Sequence, residues 1–280
     1  VSVNSDKLKA IANEYKLTVN GVSFWTPYFL NTPKAFGAIK APNLPAPHLG
    51  KGTPDQIKNS LHELIKAQQP ELRDEHDYRR FMHENRLGVE CSGFIYYLLN
   101  TYLEEAGKES LDHYLYWSRE ELLAAYDAGT PWHRPELERS VVEGYPDIVS
   151  LEVVKKDWGW DTPAKLVNVR RLVNSMAATA FDDVAKLQPG DMIFETGHDS
   201  VAHAMVVVEV GDSQIVYVHS GGVDRGKGDD NFFGGVEYGS ITITDPAKTI
   251  EHQDWEDQAF LELHSFESGA LRRLKVLNEL

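Results

Sequence analysis

The stretch Gly88-Val89-Glu90-Cys91-Ser92-Gly93-Phe94-Ile95 decides how this chain is read. It holds the single cysteine of the 280 residues. From it Phe94, Ile95, Leu98, Leu99, Tyr102 and Leu103 recur at helical spacing, up to a C′ glycine at Gly107. A helix is therefore expected to begin at Cys91 or just after it. The unpaired N–H groups and the macrodipole of a first turn favour negative charge, and a thiol attacks only as thiolate. Ser92 and Gly93 are small, so a substrate carbonyl could approach and borrow the same N–H groups as an oxyanion hole. Read alone, the stretch fits an inert cysteine in a core helix equally well.

Two downstream pieces change that balance. Leu187-Gln188-Pro189-Gly190-Asp191-Met192-Ile193-Phe194 reads as a turn feeding a strand, and Val201-Ala202-His203-Ala204-Met205-Val206-Val207 as the next strand. A third strand, Ile215-Val216-Tyr217-Val218-His219-Ser220, follows Gly211-Asp212-Ser213. If those three residues form the hairpin loop, Val210 pairs with Gln214 and Met205 falls opposite His219. His203 and His219 then share a face as diagonal neighbours. One imidazole could take the Cys91 proton while the other fixes its tautomer and orientation. A two-residue loop would place the rings on opposite faces.

Glu90-Cys91-Ser92-Gly93-Phe94 opening a helix, Leu187 to Asp191 opening a strand, His203 to Val208 and then Val218-His219-Ser220 together resemble the NlpC/P60 family of papain-like cysteine peptidases and amidases. The likeness covers mainly residues 88–105 and 187–220. It implies Cys91 as nucleophile, His203 as base, His219 as the third polar residue, and peptide or peptidoglycan stem-peptide substrates. Ser92, Gly93 and Ser220 would lie on the substrate side. The family usually carries Asp where this chain has Glu90, an acid with a mostly structural role. A Tyr-containing, glycine-rich approach to the cysteine is replaced by Tyr78 to His83, with Tyr78 the candidate substrate contact.

The implied fold is α+β: a papain-like NlpC/P60 core of N-terminal helices packed on an antiparallel sheet, in a single domain over 1–280. Residues 1–70 form an N-terminal extension and 108–174 a central insertion that lengthens the interval between Cys91 and His203. A first helix is expected through Leu8, Ile11, Ala12 and Tyr15, then a proline-rich, aromatic segment from Trp25 to Pro54. Thr53-Pro54 starts a helix bearing Ile57, Leu61 and Leu64, and another runs from about Glu71 to Glu84. A further helical piece spans 118–128. Strands are expected at 191–195, 201–210, 214–220 and 240–244, with one more at 260–266.

The formal charge of −15 argues against a nucleic-acid partner. A lone cysteine excludes a disulfide framework and multi-thiol zinc sites. No apolar run approaches bilayer length, and no secretory signal is visible, so the reading is cytoplasmic unless a leader has been removed. No cofactor or metal is implied. His198 and Asp199 with His203 and His219 lack the spacing of a helical zinc site. Trp158-Gly159-Trp160 reads as core before it reads as a sugar platform. Arg170-Arg171 and Arg272-Arg273 read as solvated faces before carboxylate clamps, and the glycines from Gly221 to Gly228 as a flexible loop. The function expected is hydrolysis of an amide or isopeptide bond through an acyl-enzyme on Cys91. The alternative is a non-catalytic peptide- or cell-wall-binding module on the same fold.

Overall fold

A computed structural model describes residues 3–29, 45–117, 167–197, 202–221, 234–258, 261, 264–266 and 268–280. The described residues form an α+β structure, with helices first and a large antiparallel sheet after them. No helix among them is long and apolar enough to cross a membrane. The helical expectation at 118–128, Trp158 to Trp160, His198, Asp199 and the glycines from Gly222 to Gly228 all lie outside the described residues.

Helix α1 (Ser5–Asn13) is capped by the Asn4 side chain and buries Leu8, Ile11 and Ala12. It ends before Tyr15, which is nevertheless buried and meets Phe94 edge-on at 5.2 Å. The chain turns instead into a hairpin, β1 (Lys16–Val19) and β2 (Val22–Trp25), with Val19 opposite Val22. Asn20 and Gly21 carry the turn with φ of 51° and 82°, the left-handed pair that two-residue hairpins require. Helix α2 (Pro54–Gln68) starts with a full capping box between Thr53 and Gln56. Helix α3 (Glu75–Glu84) follows, capped by Asp74.

Helix α4 (Cys91–Glu105) begins at the cysteine. It closes in a Schellman motif: Lys108 N–H donates to Leu103 O, Gly107 N–H donates to Glu104 O, and Gly107 has φ of 73°. Two short helices, α5 (Asp112–Leu115) and α6 (Val169–Leu172), complete the helical layer.

The main sheet comprises β3 (Ala178–Phe181), β4 (Met192–Gly197), β5 (Ala202–Val210), β6 (Gln214–Gly221), β7 (Gly235–Thr242), β8 (Asp254–Trp255), β9 (His264–Ser265) and β10 (Leu271–Leu274). Its order is β3-β10-β4-β5-β6-β7-β8, with β9 paired to β4. Strand alternation sorts its side chains onto two cores. Met192, Phe194, Ala204, Val206, Val208 and Val218 join the cluster that holds α1 and α4. Ile193, Met205, Val207, Ile215, Tyr217 and Trp255 form a second cluster on the other face.

The hairpin between β5 and β6 departs from the expected register and then recovers it. Val210 faces Ile215 rather than Gln214, one step off. Two positions of β5, from Val207 to Glu209, then match one of β6, so Val208 is the extra residue of a β-bulge. Beyond it Val207 faces Tyr217 and Val206 faces Val218. Continued for one residue, that register sets Met205 against His219. A one-residue slip would have sent the two histidines to opposite faces. The bulge undoes it.

Candidate active site

The acid that precedes the cysteine organises the first turn of α4. Glu90 is the N-cap, and its carboxylate accepts from Ser92 N–H at 3.0 Å and Gly93 N–H at 2.7 Å. It also accepts from Ser92 Oγ at 2.6 Å and from the Lys51 ammonium. Lys51 Nζ further donates to Val167 O at 2.5 Å. Lys51 and Glu90 are only 10% and 4% exposed in their side chains. Burial alone would raise the Glu90 carboxyl, but the Lys51 charge and the converging donors outweigh it and hold the group below the usual range.

This cap overturns the expected oxyanion hole. The Ser92 and Gly93 amides are already bound to Glu90 and are closed to a substrate carbonyl. Gly93 is small for another reason: a Cβ there would lie 2.3 Å from Gly50 O and 3.1 Å from Lys51 Cα. The 50–51 segment presses on the helix at that point, antiparallel to Val89.

The thiol also departs from expectation. Cys91 is buried, and its Sγ hydrogen bond runs to Glu90 Oε2 at 3.3 Å. Burial and the Glu90 charge together push the thiol well up; Lys51 pulls the other way and loses. The helix end that was to favour thiolate has spent its donors on a carboxylate, and a second negative charge beside it is disfavoured.

The two histidines meet. His203 Nε2 and His219 Nδ1 are 2.8 Å apart, with the rings edge to face at 80°. His219 Nε2 lies 3.2 Å from Glu237 Oε1 on β7, an electrostatic contact rather than an aligned hydrogen bond. On the other side, buried Glu195 of β4 stands opposite His203 in register. Burial pushes its carboxyl well up. Gly221 makes room for this arrangement, since a Cβ there would fall 2.8 Å from His219 Cε1 and 3.1 Å from Nδ1.

The cysteine and the imidazoles are brought to one rim of the sheet but not into contact. Ser220 Oγ donates to Val89 O at 2.7 Å, tying the residue after His219 to the residue two before Cys91. Helix α4 packs on β5 and β6. Cys91 belongs to the first core, however, whereas alternation carries His203 to the side of Met205 and Val207. The His219 ring lies 5.7 Å from Tyr217 of the second core. Among the described residues no hydrogen bond joins the sulfur to either ring.

Tyr78, the candidate substrate contact, is placed in the core. It is 1% exposed, stacked on Phe24 at 4.9 Å, and its hydroxyl accepts from Asn20 Nδ2. The aromatic beside the thiol is Tyr28, which pairs with Val89 in a parallel bridge and is half-buried. Its hydroxyl is pushed up by burial first and then by Cys91 and Glu90. Sequence reading passed it over inside a proline-rich segment; its signal was an aromatic residue in a run that must pack somewhere.

Of the paired arginines, Arg171 and Arg272 do not lie on solvated faces, and the Arg170 side chain lies outside the described residues. Arg171 is buried with its guanidinium 4.5 Å over the Tyr116 ring, and Arg272 is buried against Phe194. Arg273 clamps a carboxylate bidentately, but that of Asp191 in this same chain, at 2.6 and 2.7 Å. One set of potential metal ligands converges among the described residues, Asp74, His76 and Asp77. Asp74 is engaged in capping α3 and Asp77 in accepting from Arg73 N–H.

Compared with family models, with curated proteins and with solved structures, the chain matches none.

Proposed function

We propose that this chain is a cysteine hydrolase with a papain-like NlpC/P60-type core, cleaving an amide or isopeptide bond through an acyl-enzyme on Cys91. The observation that carries the reading is the bonded His203–His219 pair, held at the rim by the Ser220–Val89 tie two residues from the only cysteine. The resemblance of the three motifs points to peptidoglycan stem peptides as substrate class. In the resting state Glu90 keeps the thiol neutral. The sulfur must turn from Oε2 and pass its proton to His203 for the thiolate to attack the carbonyl carbon. As the C–N bond breaks, His203 returns the proton to the leaving amine. Water, deprotonated by the same ring, then releases the acid. With the Ser92 and Gly93 amides occupied, the Cys91 N–H is the donor of the first turn that would serve the oxyanion.

One observation favours a second reading, a binding module without turnover: the thiol is bonded to a carboxylate while the histidines leave the strand on the face of the second core. Iodoacetamide labelling across pH, beside assays of amide cleavage on stem peptides, separates the two. A hydrolase shows cleavage abolished by both Cys91→Ala and His203→Ala, and His203→Ala alters the labelling profile of Cys91. No cleavage in the wild type, with a labelling profile indifferent to His203→Ala, ends the hydrolase reading.

A further inference from the structure

Sequence reading stopped at two histidines; the sheet continues the line. Glu195, His203, His219 and Glu237 stand on four consecutive strands, β4 to β7, with Glu195 opposite His203 and His219 opposite Glu237. The Glu237 end of this row has a direct consequence for the rings. An ionised carboxylate offers acceptors alone, so a ring nitrogen 3.2 Å from Glu237 Oε1 is favoured with its hydrogen on it. With the hydrogen on Nε2, a neutral His219 presents a bare Nδ1. The 2.8 Å contact is then made by a hydrogen on His203 Nε2, and the lone pair of His203 is left at Nδ1.

We infer that Glu237 is a positioning residue that sets the tautomers of both rings and thereby assigns the proton-accepting atom of the pair to His203 Nδ1. The catalytic consequence rests on the hydrolase reading; the tautomer assignment does not. Glu237 is suited to the role because its side chain is 32% exposed at the rim while that of His219 is 1% exposed. The strand end that bears it is fixed by Val236 N–H donating to Thr26 O. Among the described residues, Glu195 from β4 and Tyr217 from β6 also face the pair.

The test is long-range ¹⁵N–¹H correlation on histidine-labelled whole chain, at a pH where both rings are neutral, beside kcat/KM profiles on a stem-peptide amide. The inference expects the Nε2–H form for both His203 and His219 in the wild type. Glu237→Ala should lose that fixed form and cost at least about tenfold in kcat/KM. Glu237→Gln, which keeps an acceptor oxygen beside Nε2, should keep the tautomer while the acid limb of the profile moves to lower pH. An Nδ1–H form of His219 in the wild type overturns the inference whatever the turnover. Unchanged spectra and turnover in Glu237→Ala overturn it too, leaving the hydrolase reading intact. The expected tautomers with no cleavage by any form support the assignment and remove the hydrolase reading instead.

Discussion

Ser220 donates its hydroxyl hydrogen to the carbonyl oxygen of Val89 at 2.7 Å, joining positions 131 apart in the chain. The bond is buried and fastens the end of β6 to the loop that enters α4. Ser220→Ala should therefore cost about 1 kcal/mol, with the denaturant midpoint lowered and the m-value unchanged. Alkylation of Cys91 should also quicken as the entry to its helix loosens. Unaltered stability and labelling would show that the tie contributes nothing.

The raised thiol makes stability depend on pH. A folded-state value above the unfolded one means the native protein holds the proton longer, so this contribution is complete below the unfolded thiol's range. Above roughly pH 8.5, the unfolded cysteine value, it is lost with a slope of at most about 1.4 kcal/mol per pH unit. Chemical denaturation at graded alkaline pH should show this fall, and Cys91→Ser should abolish it. An equal slope in the variant would assign the dependence to other groups.

Lys51 and Glu90 form a buried pair beneath the sulfur. Lys51→Met strands the carboxylate and should destabilise by about 3–5 kcal/mol, whereas adding Glu90→Gln should restore much of that loss. Glu90 is held below its ordinary range, so its contribution is present above the unfolded carboxyl value and lost as pH falls through the folded one. Protonation relieves a stranded carboxylate as Glu90→Gln does, so the stability gap between Lys51→Met and the wild type should narrow as pH falls. Strict additivity of the two substitutions in denaturation curves would refute the coupling.

Gly221→Ala should displace the His219 ring, because the added carbon would sit 2.8 Å from its Cε1. The expected result is a lost His203–His219 contact in histidine NMR and a fall in turnover of at least about tenfold, with the chain still folded by circular dichroism. Retention of the contact would mean the strand end yields more easily than its pairing with Gly235 implies.

The parts of the fold legible in sequence were those written in local chemistry. The helix start at Cys91, its glycine stop at Gly107 and the Thr53 box each rest on a few adjacent residues. Strands β4 to β6 announced themselves by valine and isoleucine between turns. By contrast the strand expected at 240–244 begins earlier, at Gly235, and takes in Glu237 and Gly239; only the neighbouring strand makes sense of them, since Gly239 yields to the Tyr217 ring. The Val208 bulge was likewise invisible, because nothing in a run of valines marks which one is unpaired.

The site was legible in its members more than in its electrostatics. His203 and His219 were placed on one face by a turn assignment one residue off, and the bulge supplied the compensation. The cap was misjudged because a glutamate before a helix looks the same whether it merely closes the turn or consumes the amides a substrate would use. Tyr28 and Lys51 come from far upstream, and their approach to Cys91 is a product of tertiary packing alone.

The Lys51 ammonium does one thing more than neutralise Glu90: it also donates to the backbone oxygen of Val167, two residues before α6. Tension on that anchor would draw the cation from the carboxylate and leave the sulfur facing a less balanced negative charge. The setting of Cys91 thus leans on a backbone oxygen at the approach to α6, reached through a single cation that never touches the sulfur.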